Sequence, residues 1–205
     1  MCRATFNPPV VISTMSSVSG PVPAFPHAGL AAASPWLLRW SSLIRPGGRV
    51  LDVACGSGRH VRWLAQQGFD VTALDRDSAA LEPLRAIARV CIADIESGDW
   101  PLPGQQFDAL LVTNYLWRPL WPSLMASLAP GAVLIYETFA DGNQSVGKPS
   151  RPDFLLNHGE LLTLTGGLRV VAFEDGFLDG PARFVQRIVA VSEATGQAVP
   201  PRYPL

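Results

Sequence analysis

The sequence predicts an α/β domain with a doubly wound, mostly parallel sheet that ends in an antiparallel hairpin. Three observations carry that expectation. Short apolar runs alternate with amphipathic stretches from residue 49 to residue 139, a glycine-rich turn follows the first run, and two apolar runs near the C-terminus are separated by only five residues. Apolar strands that alternate with helices require right-handed crossovers, which cover both faces of a parallel sheet.

Residues 1–33 lack a sustained period and contain Pro8, Pro9, Pro21, Pro23 and Pro26, so they read as a flexible leader before a single domain spanning 34–205. Met15 lies inside this stretch, which raises the expectation of a later start. Ser34-Pro35-Trp36 opens a helix with a capping hydroxyl and a proline at the first helical position, and Trp36, Leu37, Trp40, Leu43 and Ile44 then fall at helical spacing. Pro46-Gly47-Gly48 stops it. A buried strand is expected over 49–53, and a helix over 59–67 carries Val61, Leu64 and Ala65 on one face and stops at Gly68. The alternation continues with strand 70–75, helix 78–88, strand 89–93, strand 107–113, helix 120–128 and strand 132–139. A helix over 159–165 precedes the runs 168–177 and 183–192, whose connection is too short for a helical crossover and therefore makes a hairpin.

Composition narrows the function classes. The chain has 205 residues, 48% of them apolar, which is enough for one hydrophobic core. Sixteen basic residues against 17 acidic ones give a net charge of -1, so a protein that lives on phosphate neutralisation, and with it a nucleic-acid partner, is not expected. Cys2, Cys55 and Cys91 are odd in number and far apart, which points to neither a disulfide framework nor a zinc site. No apolar run approaches the ~20 residues that span a bilayer, and prolines interrupt any secretion-signal core. A reducing cytoplasm is the expected location, with no membrane partner. The oligomeric state stays open.

The chemistry concentrates at the strand ends. Asp52-Val53-Ala54-Cys55-Gly56-Ser57-Gly58 lies between the first strand and its helix, where backbone amides converge and glycines let a ligand approach. Residue 61, where a dinucleotide fingerprint places its third glycine, is valine, which weighs against a nicotinamide or flavin cofactor. Asp75, nineteen residues beyond Gly56 at the end of the second strand, is placed to accept from a ribose diol. Asp94, at the end of the third, can accept from an exocyclic amine while Ile95 packs on a base. One aspartate at a strand end is an ordinary turn former. Three at equivalent ends form a pattern.

These residues resemble class I S-adenosylmethionine-dependent methyltransferases. Residues 50–60 (VLDVACGSGRH) are similar to that family's first motif, 71–77 to its second, Asp94-Ile95 to its third, 107–116 to its fourth and 128–135 to the strand that follows. Ala54 stands where the family pattern has a further glycine. The wording of the first motif, with Tyr136-Glu137-Thr138-Phe139 and Gly147-Lys148-Pro149, is similar to the tellurite-resistance-like branch. The resemblance implies a Rossmann-like methyltransferase fold with S-adenosyl-L-methionine as cofactor, held by the loop from Asp52 through Ala54. Gly56 and Gly58 would bracket its methionyl part, Asp52 would anchor its amino group, and Asp75 would hold the ribose. Arg76 would flank the adenine, Asp94 and Ile95 would bind its edge and face, and Asn114 would back the methyl donor.

Methyl transfer from a sulfonium is an SN2 step in which alignment does most of the work, so no strong acid or base is obligatory. Tyr115, Glu137 and His60 are the candidate catalytic residues on the acceptor side. His60 reads either as a proton acceptor or as a packed helix residue, and Glu137 as a base, an amine-binding group or a structural hydrogen-bond partner. The loop 141–156 is a lid or a plain surface loop; as a lid, its Lys148 and Arg151 favour an anionic acceptor. A small-molecule acceptor is the expected substrate. An amino-group nucleic-acid methyltransferase would place prolines after Asn114, where this chain has Tyr115-Leu116-Trp117. A protein methyltransferase and a non-catalytic module that binds the cofactor are the two further rival readings.

Overall fold

The computed structural model describes residues 32–194 and 201–205; the expected leader and the choice of start lie outside the described residues. Its elements are α1 (Pro35–Trp40), β1 (Arg49–Val53), α2 (Arg59–Gln66), β2 (Asp70–Asp75), α3 (Ser78–Leu81), β3 (Arg89–Ile92), β4 (Phe107–Thr113), α4 (Trp121–Ala126), β5 (Leu128–Phe139), α5 (Glu160–Leu164), β6 (Arg169–Asp179) and β7 (Ala182–Val191). The strands form one seven-stranded sheet in the order β3-β2-β1-β4-β5-β7-β6. The first five are parallel, and β7 runs antiparallel to both β5 and β6. Strand order reverses beside β1. Crossovers on either side of that point leave opposite faces, which opens a crevice at the strand ends.

The period of two along each strand sorts the apolar residues into two cores. Leu51, Val53, Leu110, Val112, Leu134 and Tyr136 pack on the face covered by α4 and α5. Val50, Leu111, Val133, Ile135 and Val189 pack on the face covered by α1 and α2. A leucine buried as fully as Leu51 or Leu110 contributes about 1.5–3 kcal/mol. Trp121 stacks on Tyr136 with ring centroids 5.1 Å apart. At the start of α1 the Ser34 hydroxyl accepts from the Trp36 amide at 3.1 Å, the expected cap, and donates to Glu137 at 3.2 Å.

Three elements differ from expectation. The helix expected over 78–88 is α-helical only to Leu81, with a short 3-10 turn over Glu82–Leu84. Pro83 explains this, because it has no N–H to offer the carbonyl four residues back and its ring crowds that carbonyl. Helix α4 stops at Ala126, and β5 begins at Leu128, opposite Phe107; the register then jumps to Ala109 opposite Val133, so Pro130-Gly131 loops out without ending the strand. The hairpin connection shrinks to Gly180-Pro181, and its second strand, not its first, joins the parallel sheet.

Candidate cofactor crevice and acceptor cavity

The turn after β1 is built from left-handed residues: Ala54, Gly56 and Gly58 have φ of 52°, 54° and 77°. For Ala54, which carries a Cβ, that conformation costs about 1–2 kcal/mol. The Gly56 amide donates to Asp75 Oδ2 at 2.8 Å, and the Asp77 amide donates to Asp75 Oδ1 at 2.9 Å. Asp75 therefore ties the first turn to the second strand. A carboxylate has about four acceptor positions, so two remain for a ligand. A Cβ on Gly56 would meet nothing within 4 Å, so the space above the turn is open.

This turn forms one wall of a crevice of about 570 Å³. Asp75, Arg76 and Asp77 continue the wall at the end of β2, Asp94, Ile95 and Glu96 follow β3, and Asn114 and Tyr115 follow β4. The Glu96 amide and the Ser97 hydroxyl donate to Asp94 at 3.0 and 2.9 Å, and these bonds hold its pKa below the usual carboxylate value. Ile95 is 9% exposed and joins the core, so it offers the crevice an apolar face with a fixed position. Asn114 adopts φ of 55°, with its amide donating to the Glu137 carbonyl at 2.9 Å.

A second cavity of about 270 Å³ adjoins the first at Glu96, Asn114 and Tyr115 and runs over Leu116, Thr138, Phe139, Pro149 and Phe154. The ring of Tyr115 lines both. Burial, then the charge of Glu96, pushes its pKa up, so the hydroxyl stays protonated at neutral pH; it is buried and has no hydrogen-bond partner.

The structure thus brings together Ala54, Gly56, Asp75, Arg76, Asp94, Ile95, Asn114 and Tyr115 of the expected site. Four others lie off the crevice. Gly58 is where α2 begins, and a Cβ there would collide with Leu84, so this glycine serves helix packing. Asp52 is 0% exposed, and neither of its carboxylate oxygens has a hydrogen-bond partner. It sits under the turn and is not among the residues that line the crevice. His60, expected as a proton acceptor, is 1% exposed; it is one helical turn from the buried Leu64 and points with it into the sheet. Its Nδ1 lies 3.3 Å from the Thr113 hydroxyl and 3.9 Å from Asp52. Burial raises the Asp52 pKa to about 8 and lowers that of His60 to about 3, so both are held towards their neutral forms. Glu137 is 1% exposed and faces Ser34, Arg183 at 3.6 Å and Arg187 at 3.4 Å. It occupies the strand end on the α1 side, so its carboxylate is committed to the hairpin and not to the crevice.

The loop 141–156 is also placed differently from a cationic lid. Buried Asn143 donates to the Pro149 carbonyl at 2.9 Å and accepts from the Phe184 amide at 3.2 Å. Arg118 grips Glu160 at 2.6 Å and the carbonyls of Asp153 and Leu155. The loop gives the second cavity Pro149 and Phe154, while Lys148 and Arg151 are exposed and do not line it. Glu96 carries a faint sequence signal, one residue past the third motif. Phe139 ends a strand, but Phe154 carries no signal.

Fold and site together define a class: a doubly wound protein with a crevice at its topological switch point that suits an adenosyl ligand. Comparison with known proteins makes the class specific. A family described as a methyltransferase domain matches residues 50–130. The chain is 28% identical over 153 residues to a protein-L-isoaspartate O-methyltransferase of Methylorubrum populi, covering 70% of each chain. It is 32% identical over 106 residues to a malonyl-[acyl-carrier protein] O-methyltransferase of Serratia marcescens, covering 48% of this chain but only 41% of that one. The crystal structure of TehB from Haemophilus influenzae superposes with a TM-score of 0.62 at 18% identity, covering 77% of this chain and 61% of TehB. Over residues 50–130 the chain is similar to methyltransferase domains, whose methyl donor is S-adenosylmethionine, and its fold resembles that of TehB.

The residues present fit that cofactor. Asp75, Asp77, Asp94 and Glu96 line the crevice against the single guanidinium of Arg76. Such a lining attracts the sulfonium and ammonium groups of S-adenosylmethionine and repels a dinucleotide pyrophosphate. The volume falls within the range of about 300–1,000 Å³ for pockets that hold ligands of this size.

Proposed function

We propose that this protein is an S-adenosylmethionine-dependent methyltransferase that acts on a small-molecule acceptor in the cytoplasm. The observation that carries the reading is the junction of two cavities at Glu96, Asn114 and Tyr115: the larger is lined by groups that suit the cofactor, and the smaller has room for little more than a ring system. In this reading Asp75 holds the ribose with the lone pairs left free by its two backbone bonds. Asp94 takes the adenine amine, Ile95 and Arg76 flank the base, and the turn from Ala54 to Gly56 supports the methionyl part. Gly58 and Asp52 act through the turn, by its packing and its underside. When bound, S-adenosylmethionine supplies an activated methyl group that needs only an in-line nucleophile. The protein's own contribution is to align the acceptor and keep water out. In this reading Tyr115, which lines both cavities, bounds the acceptor. His60 and Glu137 organise the opposite face.

Several features support this reading over its rivals. The crevice carries excess negative charge, the chain has net charge -1, and no helix among the described residues is long and apolar enough to cross a membrane. The described thiols Cys55 and Cys91 are free, as suits a reducing compartment. A protein acceptor is the second reading, favoured by the relative named for isoaspartate. Calorimetry with S-adenosylhomocysteine tests the cofactor site. A labelled-methyl assay on separated metabolite, protein and RNA fractions tests the acceptor. Label in the low-mass fraction is the expected result, and label confined to protein or RNA refutes it.

A further inference from the structure

We infer that the second cavity selects a flat, apolar acceptor bearing a basic nitrogen and rejects carboxylates and phosphate esters. This inference rests on the methyl-transfer reading above, in which Asn114 backs the methyl donor. The cavity begins at that residue. Tyr115, Phe139 and Phe154 present three aromatic rings, joined by Leu116 and Pro149. Rings of this kind favour a planar guest by stacked or edge contacts. At about 270 Å³ the space is slightly below the range of about 300–1,000 Å³ for drug-sized ligands, which leaves room for one or two fused rings.

Charge decides the polar end. Among the described residues that line this cavity, Glu96 is the one acidic or basic side chain. Among the described residues, the neighbouring cations do not line it. Arg118 is held by Glu160 at 2.6 Å, and Arg151 pairs with Asp153 at 2.8 Å while lying over the Phe154 ring at 5.2 Å. Lys148 is exposed outside the cavity, and Arg76 lines only the first one. An acceptor anion would face a carboxylate and find no cation among the lining residues, whereas an amine finds an acceptor in Glu96. The wall is built in advance, because Asn143 holds the Pro149 carbonyl at 2.9 Å. In the reaction, the neutral nitrogen's lone pair forms the new bond to the methyl carbon as the carbon–sulfur bond breaks with its electrons retained by sulfur. The surplus proton on nitrogen passes to Glu96 or to water.

The test is calorimetric titration of the full chain, loaded with S-adenosylhomocysteine, with three probes that share one ring system: tryptamine, tryptophol and indole-3-propionate. Tryptamine is expected to bind about 10-fold or more tighter than indole-3-propionate, with tryptophol between them, and Glu96→Gln to remove most of that gap. Glu96 is exposed, so the variant is expected to fold, and its melting temperature checks this. Three results overturn the inference: the acid binding as tightly as the amine, neither binding to the loaded protein, or the gap persisting in Glu96→Gln. Failure of S-adenosylhomocysteine itself to bind is a different result. It refutes the cofactor reading before any acceptor is added.

Discussion

Two pairs of carboxylates stand at the ends of parallel strands in this protein, and they live in opposite environments. Asp75 and Asp94 open onto the crevice, with part of each carboxylate committed to local backbone or hydroxyl donors. Asp52 and Glu137 lie on the α1/α2 side of the sheet, at 0% and 1% exposure. The four look alike in the sequence, each closing an apolar run. Their difference is one of pleat and layer: a side chain one step inside a strand end falls under a helix, whereas one at the end projects past it. The first pair can bind a ligand. The second pair stabilises or strains the fold.

That contrast can be broken by substitution. Glu137→Ala should have the largest effect on stability, about 3 kcal/mol, because it leaves the mostly buried Arg183 without its counter-charge and Arg187 with Glu174 alone; denaturant unfolding measures it. A loss below about 1 kcal/mol, the level of an exposed ion pair, would place Glu137 with the open pair. Asp75→Asn should do the reverse, weakening S-adenosylhomocysteine binding by about 10–100-fold through lost charged hydrogen bonds while the midpoint of unfolding moves little. Calorimetry and unfolding on the same sample separate the two effects.

The buried aspartate also leaves a pH signature. The Asp52 pKa is raised from 3.8 to about 8, so its contribution is fully favourable below about pH 4 and is lost as pH rises towards 8. The His60 pKa is lowered from 6.5 to about 3, so its contribution is fully present above pH 6.5 and is lost as pH falls towards 3. Between about pH 4 and 6.5 the two slopes oppose each other. Above 6.5 only that of Asp52 survives, so stability should fall from pH 6.5 to 8, and Asp52→Asn should flatten that limb in thermal melts. The smallest effect concerns the turn between the two environments. Ala54→Gly relieves about 1–2 kcal/mol of left-handed strain against about 0.4–1 kcal/mol of extra unfolded-state freedom, a net gain of about 0.5–1 kcal/mol. A lower melting temperature in that variant would show that the Ala54 methyl group makes a packing contact worth more than the strain.

Much of this is legible in the sequence. The strands β1, β2 and β4 and the crevice residues Gly56, Asp75, Asp94 and Ile95 follow from local signals, since turns, caps and strand ends are written within a few residues, whereas Asn114 follows from the family resemblance alone. His60 is not readable in the same way. Its place depends on the angle at which α2 leaves the turn, and Leu84, from a distant part of the chain, helps to set that packing at Gly58. The acceptor cavity is legible least of all. Phe139, Pro149 and Phe154 meet only because Asn143 and Arg118 fold the intervening loop back on the sheet.

What the chain's order of residues determined by itself was the alternation of elements and the acidic residues at the strand ends, because each of these depends on periodicity and nearest neighbours. Only the tertiary structure decided which carboxylates see solvent, and that the second cavity is lined by aromatic residues and not by the loop's cations. Burial and charge pairing depend on contacts between segments far apart in the chain, and no local pattern encodes them.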